Sequence, residues 1–300
     1  MKISIVSPSS PLNEEQIKQS KESINYLASL EHEINYSRSL FDTETKPREE
    51  RAEQFMEEYL SEDNDILLAS RGGSSAIEIL DLLDFEKLFA AKRKAILGYS
   101  DLTTLALAFS NYAQKNSLDP IPFYHSPMLF ELSSWLVNED IKPQVNFLIS
   151  RKAFENNLRI LANKINKENF TFEKSELALE LSSSLHDQKS VILEDSSISV
   201  LGGNLSIICS LVGTPYLPSF QNTILFIEEC NEATYKIERM LWQLHLSGSL
   251  NSVKELWIGK ALNAEYPDDL IQQLSSIHSF RTIRDLPVGH GDLNLITKLF

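Results

Sequence analysis

Short apolar runs alternate with longer amphipathic ones through the first half of the chain. Ile3 to Val6 is followed by a helical pattern reaching Leu30, Glu33 to Tyr36 by a second helical pattern ending near Leu60, and then comes Asp65 to Ser70. The alternation continues with a helical run around Ala76 to Leu83, a strand at Lys94 to Leu97, a helix from Leu102 to about Ala113 and a strand at Ile121 to Tyr124. Strands of period two alternating with helices of period 3.6 predict a parallel α/β sheet. Sites in such sheets lie beyond the C-terminal ends of the strands. Between about Leu129 and Gln188 the pattern weakens, interrupted by polar stretches such as Asn163 to Lys174 and Ser182 to Ser184. A second unit then reads as a strand ending at Leu201, a helix from Asn204, a strand at Thr223 to Glu228, a helix from Ala233 to Leu246 and a strand at Lys254 to Ile258. The expected organisation is an N-terminal α/β domain over 1–130, a linker or crossing over 131–188 and a second α/β domain over 189–300.

Composition narrows the function classes. Asp and Glu number 42 against 28 Lys and Arg, a net charge of -14 that speaks against a phosphate-backbone partner, so no nucleic acid is expected. Cys209 and Cys230 both sit in apolar stretches without metal-ligand spacing, and no metal is expected. The opening Met1 to Val6 run meets Pro8 too soon for a signal-peptide core, and no apolar run approaches the roughly 18 residues of a membrane span. A cytoplasmic protein without a membrane partner is the expectation.

Two loops carry candidate chemistry. In Ala95-Ile96-Leu97-Gly98-Tyr99-Ser100-Asp101 a short strand passes through a glycine into a helix, which places Ser100 on the connecting turn. A nucleophilic serine gains from such an elbow, because the turn exposes its hydroxyl and the helix start presents backbone N–H groups. The same position suits a plain helix cap, and Leu102 stands where the G-x-S-x-G pattern has its last glycine. Upstream, Arg71-Gly72-Gly73-Ser74-Ser75 follows the Asp65 to Ser70 strand. Its glycines let backbone approach a ligand closely, though they serve a simple turn equally well. It has neither P-loop nor G-x-G-x-x-G spacing, so nucleotide cofactors lose support.

Taken together, Arg71-Gly72-Gly73, the Leu80 to Phe85 run and Gly98-Tyr99-Ser100-Asp101-Leu102-Thr103 resemble the N-terminal half of the LD-carboxypeptidases. Gly202-Gly203-Asn204-Leu205, Gly213-Thr214-Pro215, Ile224 to Glu229, Tyr235 to Met240 and Pro287-Val288-Gly289-His290-Gly291 resemble further blocks of that family. The resemblance implies an N-terminal parallel-sheet domain with a nucleophile elbow and a mixed, barrel-like α/β C-terminal domain. By motif position it implies Ser100 as nucleophile, Glu228 as the triad carboxylate and His290 as the base. The oxyanion hole then falls on backbone N–H groups of Gly73 and Asp101, and Arg71, Gly72 and His125 of His125-Ser126-Pro127 are expected to bind substrate. A serine needs a base, and the base an acceptor that fixes its tautomer, which these three residue types supply. Glu229 rivals Glu228, but alternation along a strand points the two to opposite faces. The implied activity is release of C-terminal D-Ala from a murein tetrapeptide, with cleavage of a microcin C-type aminoacyl-nucleotide conjugate or non-catalytic muropeptide binding as alternatives. No cofactor is implied, and the family likeness implies a homodimer.

Overall fold

The computed structural model describes residues 2–29, 31–136, 199–259, 261–286, 288–290 and 297–299. The first unit runs β1 (Lys2–Val6), α1 (Glu14–Ser29), β2 (Glu33–Tyr36), α2 (Arg48–Leu60), β3 (Ile66–Ala69), α3 (Phe85–Ala90), β4 (Ala95–Leu97), α4 (Thr103–Asn116), β5 (Phe123–His125) and α5 (Leu129–Leu136). The second runs β6 (Val200–Asn204), α6 (Leu205–Ser210), β7 (Ile224–Glu228), α7 (Thr234–Leu246), β8 (Glu255–Gly259), α8 (Asp268–His278) and β9 (Arg281–Leu286), and β10 (Thr297–Leu299) follows. Beyond α5, the expected linker lies outside the described residues.

The first sheet has the order β10-β5-β4-β3-β1-β2, with β1 to β5 parallel and β10 antiparallel to β5. Its inner strands β1, β3 and β4 are covered on both faces, which is why they read as near-continuous apolar runs, whereas edge strand β2 is largely exposed. Along β3, Leu67 and Ala69 join one core while Leu68 joins the other, the expected alternation. The second sheet, β6-β7-β8-β9, is parallel throughout, and all five residues of β7 are buried.

Helix α4 is buried on nearly every side over Thr103 to Asn111, its polar Thr103, Thr104, Ser110 and Asn111 included. Leu105 to Phe109 are each at most 1% exposed, and they share one core with Leu205, Leu225 and Phe226 of the second unit. The two sheets are thus joined through the helix that follows Ser100. Asn204 at the end of β6 donates its backbone N–H to Thr103 Oγ1 at 3.0 Å, and a Cβ on Gly203 would lie 2.3 Å from that oxygen. The final strand adds a second link: β10 returns from the second unit to pair with β5, Thr297 opposite His125.

Two differences from the sequence reading have local causes. Ala76–Leu82 is a 3₁₀ segment instead of an α-helix. Its Ala76 N–H is held by Asp101, its Ser75 carbonyl accepts from Arg51, and Asp84 already caps α3 through Lys87 N. Helix α8 and strands β9 and β10 continue the second unit past Ile258, where the sequence pattern had ended; His245 and His278, left without a role, pair between α7 and α8 at 2.8 Å.

Candidate active site

Ser100 sits at the C-terminal end of β4, half-buried, with φ 58°. A side chain other than glycine in that left-handed region carries strain that its surroundings must hold. The following Ser100–Leu102 turn leads directly into α4. Opposite lies Gly72: a Cβ there would stand 3.0 Å from Ser100 Cβ and 3.1 Å from Ser100 Oγ, so only a glycine leaves the serine its space. Gly73, at φ 147°, is pressed against the loop after β1, where an added Cβ would lie 2.0 Å from Ser10 Oγ.

The Asp101 side chain is buried at 1% exposure and ties these loops together. Its Oδ2 accepts from Ser9 Oγ at 2.5 Å and from the Ala76 N–H at 2.8 Å. Arg51, equally buried, joins the same two loops by donating to the carbonyls of Pro8 and Ser75. A carboxylate and a guanidinium therefore fix the Ser7–Pro11 and Arg71–Ala76 loops around the serine.

From the second unit, Glu228 ends β7 with no exposure at all. Its Oε2 lies 2.6 Å from His290 Nδ1 and also accepts the His290 backbone N–H at 3.4 Å. Gly259 and Gly289 wall it in, since a Cβ on either would come within 3.0 Å of Glu228 Cβ. Burial pushes the Glu228 carboxyl upward, but the hydrogen bond and charge of His290 outweigh it and hold its pKa below 4.5. Burial pushes the His290 imidazole down, while hydrogen bonds to Cys230 and Glu228 raise it overall above 6.5. The His290 ring packs on Tyr99, the residue before Ser100, at 4.7 Å between centroids. The histidine–glutamate pair of the second unit thus packs against Tyr99, the chain neighbour of Ser100 in the first.

Of the other expected site residues, Gly72 lies against Ser100 and the Asp101 N–H, while Gly73 packs on Ser9 and Ser10. Arg71 donates to Pro11 O at 2.9 Å and Gln16 Oε1 at 3.1 Å, and burial lowers its pKa. His125 is 1% exposed and lies between Tyr99 at 5.3 Å and Phe226 at 5.1 Å. Glu229 turns away from His290 and accepts from Asn204 Nδ2, Ser206 N and Cys230 N, holding the start of α6. Burial raises its pKa. Ser9, Arg51, Tyr99 and Cys230 were not singled out from sequence; the nearest signals were the position of Ser9 just past a parallel strand and the adjacency of Tyr99 to Ser100. Among the described residues no group of three or more His, Cys, Asp or Glu could hold a metal ion. No helix among them is long and apolar enough to cross a membrane.

Comparison with known proteins agrees with this architecture. A probable murein peptide carboxypeptidase of Bacillus subtilis is 26% identical over 202 residues, 67% of this chain and 54% of that protein. The chain spans about a third to about half the length of the first curated relatives it matches, 35% and 54%. The muramoyltetrapeptide carboxypeptidase of Oxalobacter formigenes superposes with a TM-score of 0.69 at 23% identity, covering 100% of this chain and 92% of that one. The microcin immunity protein MccF, in complex with glutamyl sulfamoyl guanosine, gives 0.72 at 19% identity, covering 99% and 90%; at such identities both show the shared fold alone. Residues 3–118 match the LD-carboxypeptidase N-terminal domain and residues 199–299 its C-terminal domain, and the chain belongs to the LD-carboxypeptidase family.

Proposed function

We propose that the protein is a serine carboxypeptidase that releases a C-terminal D-Ala from murein tetrapeptide by hydrolysing an L,D amide bond, in cell-wall recycling. The observation that carries this reading is the buried Glu228–His290 pair packed against the neighbour of a strained, half-exposed serine. In it, His290 takes the proton of Ser100 as the hydroxyl attacks the scissile carbonyl. Glu228, engaged at Nδ1, leaves Nε2 as the nitrogen that works on the serine and stabilises the imidazolium. The tetrahedral oxyanion is held by the backbone N–H groups of Gly73 and Asp101. His290 then protonates the leaving D-Ala amine, and water, deprotonated by the same imidazole, cleaves the Ser100 ester. Gly72 gives the substrate backbone its approach, Arg71 stands at the loop that receives it, and His125 packs against Tyr99. The reaction as written uses no metal or cofactor. The same reading places the enzyme in the cytoplasm and, following the family resemblance, as a homodimer.

The test offers purified protein murein tetrapeptide and, separately, an aminoacyl-nucleotide conjugate. D-Ala release from the first, reduced by at least about a thousandfold in Ser100→Ala, is the expected result. Cleavage confined to the nucleotide conjugate would reassign the substrate. Binding of tetrapeptide without hydrolysis would make the protein a sensor, and full activity in Ser100→Ala would remove the serine from the reaction.

A further inference from the structure

The triad does not account for a second acidic side chain close to His290. Glu131, in the first turn of α5, places both carboxylate oxygens on donors: Oε1 accepts from the Tyr99 phenol and Oε2 from the Met128 N–H at 2.9 Å. Burial raises the Glu131 pKa, while the Met128 N–H, the Tyr99 phenol and the charge of His290 act the other way and favour its carboxylate form. Tyr99, 6% exposed, therefore has its phenol fixed at one end. Its ring lies 4.7 Å from the His290 ring and 5.3 Å from that of His125, at angles of 53° and 58°. Its backbone is extended and joins covalently to Ser100, whose φ of 58° must be held in place. Tyr99 thus touches both halves of the proposed triad, one through the chain and the other through its ring, and Glu131 anchors it to α5, which packs on α1.

We infer that Glu131, acting through the Tyr99 phenol, is a positioning residue that holds the Ser100 turn and the His290 ring in register. The inference rests on the triad reading above. In its carboxylate form Glu131 also adds a negative charge that acts on His290, and Tyr99 contacts both residues. The charged and titratable groups facing His290 are then Glu228 and Cys230 from β7 and its following turn, Tyr99 from the elbow, His125 from β5 and Glu131 from α5. Burial raises the Tyr99 pKa, and Glu131 raises it further, so the phenol keeps its proton and remains the donor.

The test compares the full chain with Glu131→Gln and Tyr99→Phe. Glutamine removes the charge and keeps a single acceptor oxygen, so the phenol and the Met128 N–H can no longer both donate to it; phenylalanine keeps the ring but removes the tether. Both are expected to lower kcat for D-Ala release by about tenfold, the scale of one charge-assisted hydrogen bond, with KM within about twofold. In Glu131→Gln the His290 imidazole, followed by NMR titration, is expected to deprotonate at lower pH, moving the acid limb of kcat/KM the same way. A residue that only supports the fold would move neither the kcat-to-KM split nor the titration. Wild-type kcat in both variants, or a His290 titration unmoved by Glu131→Gln, overturns the inference. Should Glu131→Gln fail to fold, Tyr99→Phe carries the kinetic test alone. If the wild type releases no D-Ala, the carboxypeptidase reading fails separately and the His290 titration decides this one.

Discussion

Around Ser100 the geometry is set by what is missing as much as by what is present. Gly72 leaves a space that a methyl group would take from the nucleophile, with Ser100 Cβ and Oγ at 3.0 and 3.1 Å from the position of its Cβ. Its φ lies outside the left-handed region, unlike that of Gly73, so an alanine is not strained in its backbone. Gly72→Ala should therefore displace the hydroxyl by a few tenths of an ångström and lower kcat by up to about a hundredfold while changing stability little. Steady-state kinetics and thermal unfolding on the same preparation check this; a large loss of Tm with unchanged kcat would contradict it. Gly73 is the harsher case, since its φ of 147° and the 2.0 Å approach to Ser10 Oγ make any side chain both strained and crowded. At this scale the sequence offered candidates for the triad and was silent about what holds them. Ser100, Glu228 and His290 could be named from motif position, whereas the pins around them, Ser9 and Arg51 on the loops and Glu131 on Tyr99, lie in segments with no motif.

Among the elements, α4 has the largest consequence. It follows the nucleophile, and its all-round burial makes it the common wall of both units. Thr103, in its first turn, receives the Asn204 N–H at 3.0 Å in a buried setting. Thr103→Val preserves shape but leaves that donor without its acceptor, which costs about 1–3 kcal/mol and loosens the seat of β6 against the elbow. Denaturant unfolding should show the loss, and Thr103→Ser, which keeps the hydroxyl, should recover most of it; equal losses in both would point to packing instead. Strands β1 and β3 to β8 were legible because buried parallel strands leave apolar runs, β2 by its place between two helical patterns, and α4 and α7 because their apolar positions recur at helical spacing. The Ala76–Leu82 segment was read as a helix because its apolar spacing fits one, and only the tertiary hydrogen bonds to Asp101 and Arg51 hold it as a 3₁₀ turn. Strand β10 could not be read at all, being three residues long and stabilised by pairing with a strand far back in the sequence.

Over the whole molecule, the second unit contributes to the site from both of its connections. Glu228 ends a central strand of its sheet, and His290 lies on the stretch between β9 and β10, the latter held in the first sheet. The proposed site therefore reports on the docking of the units, and its charges should mark stability with pH. The carboxyl of Glu228, lowered in the fold, contributes stability that is present above its ordinary 4.5 and is lost as pH falls through the folded value. The imidazole of His290, raised in the fold, contributes stability that is fully present below its ordinary 6.5 and is lost as pH rises through the folded value. The Tm difference between wild type and the Glu228→Gln, His290→Gln double variant should be largest between about pH 4.5 and 6.5 and narrow on either side. A difference independent of pH would show that neither group's titration is coupled to folding. The most direct measurement of the central claim is intact-mass and peptide mapping after reaction with a fluorophosphonate, which captures only an activated serine. One adduct on Ser100 in the wild type, absent in His290→Ala, is the predicted result; labelling at another residue, or equal labelling of Ser100 without His290, would contradict it.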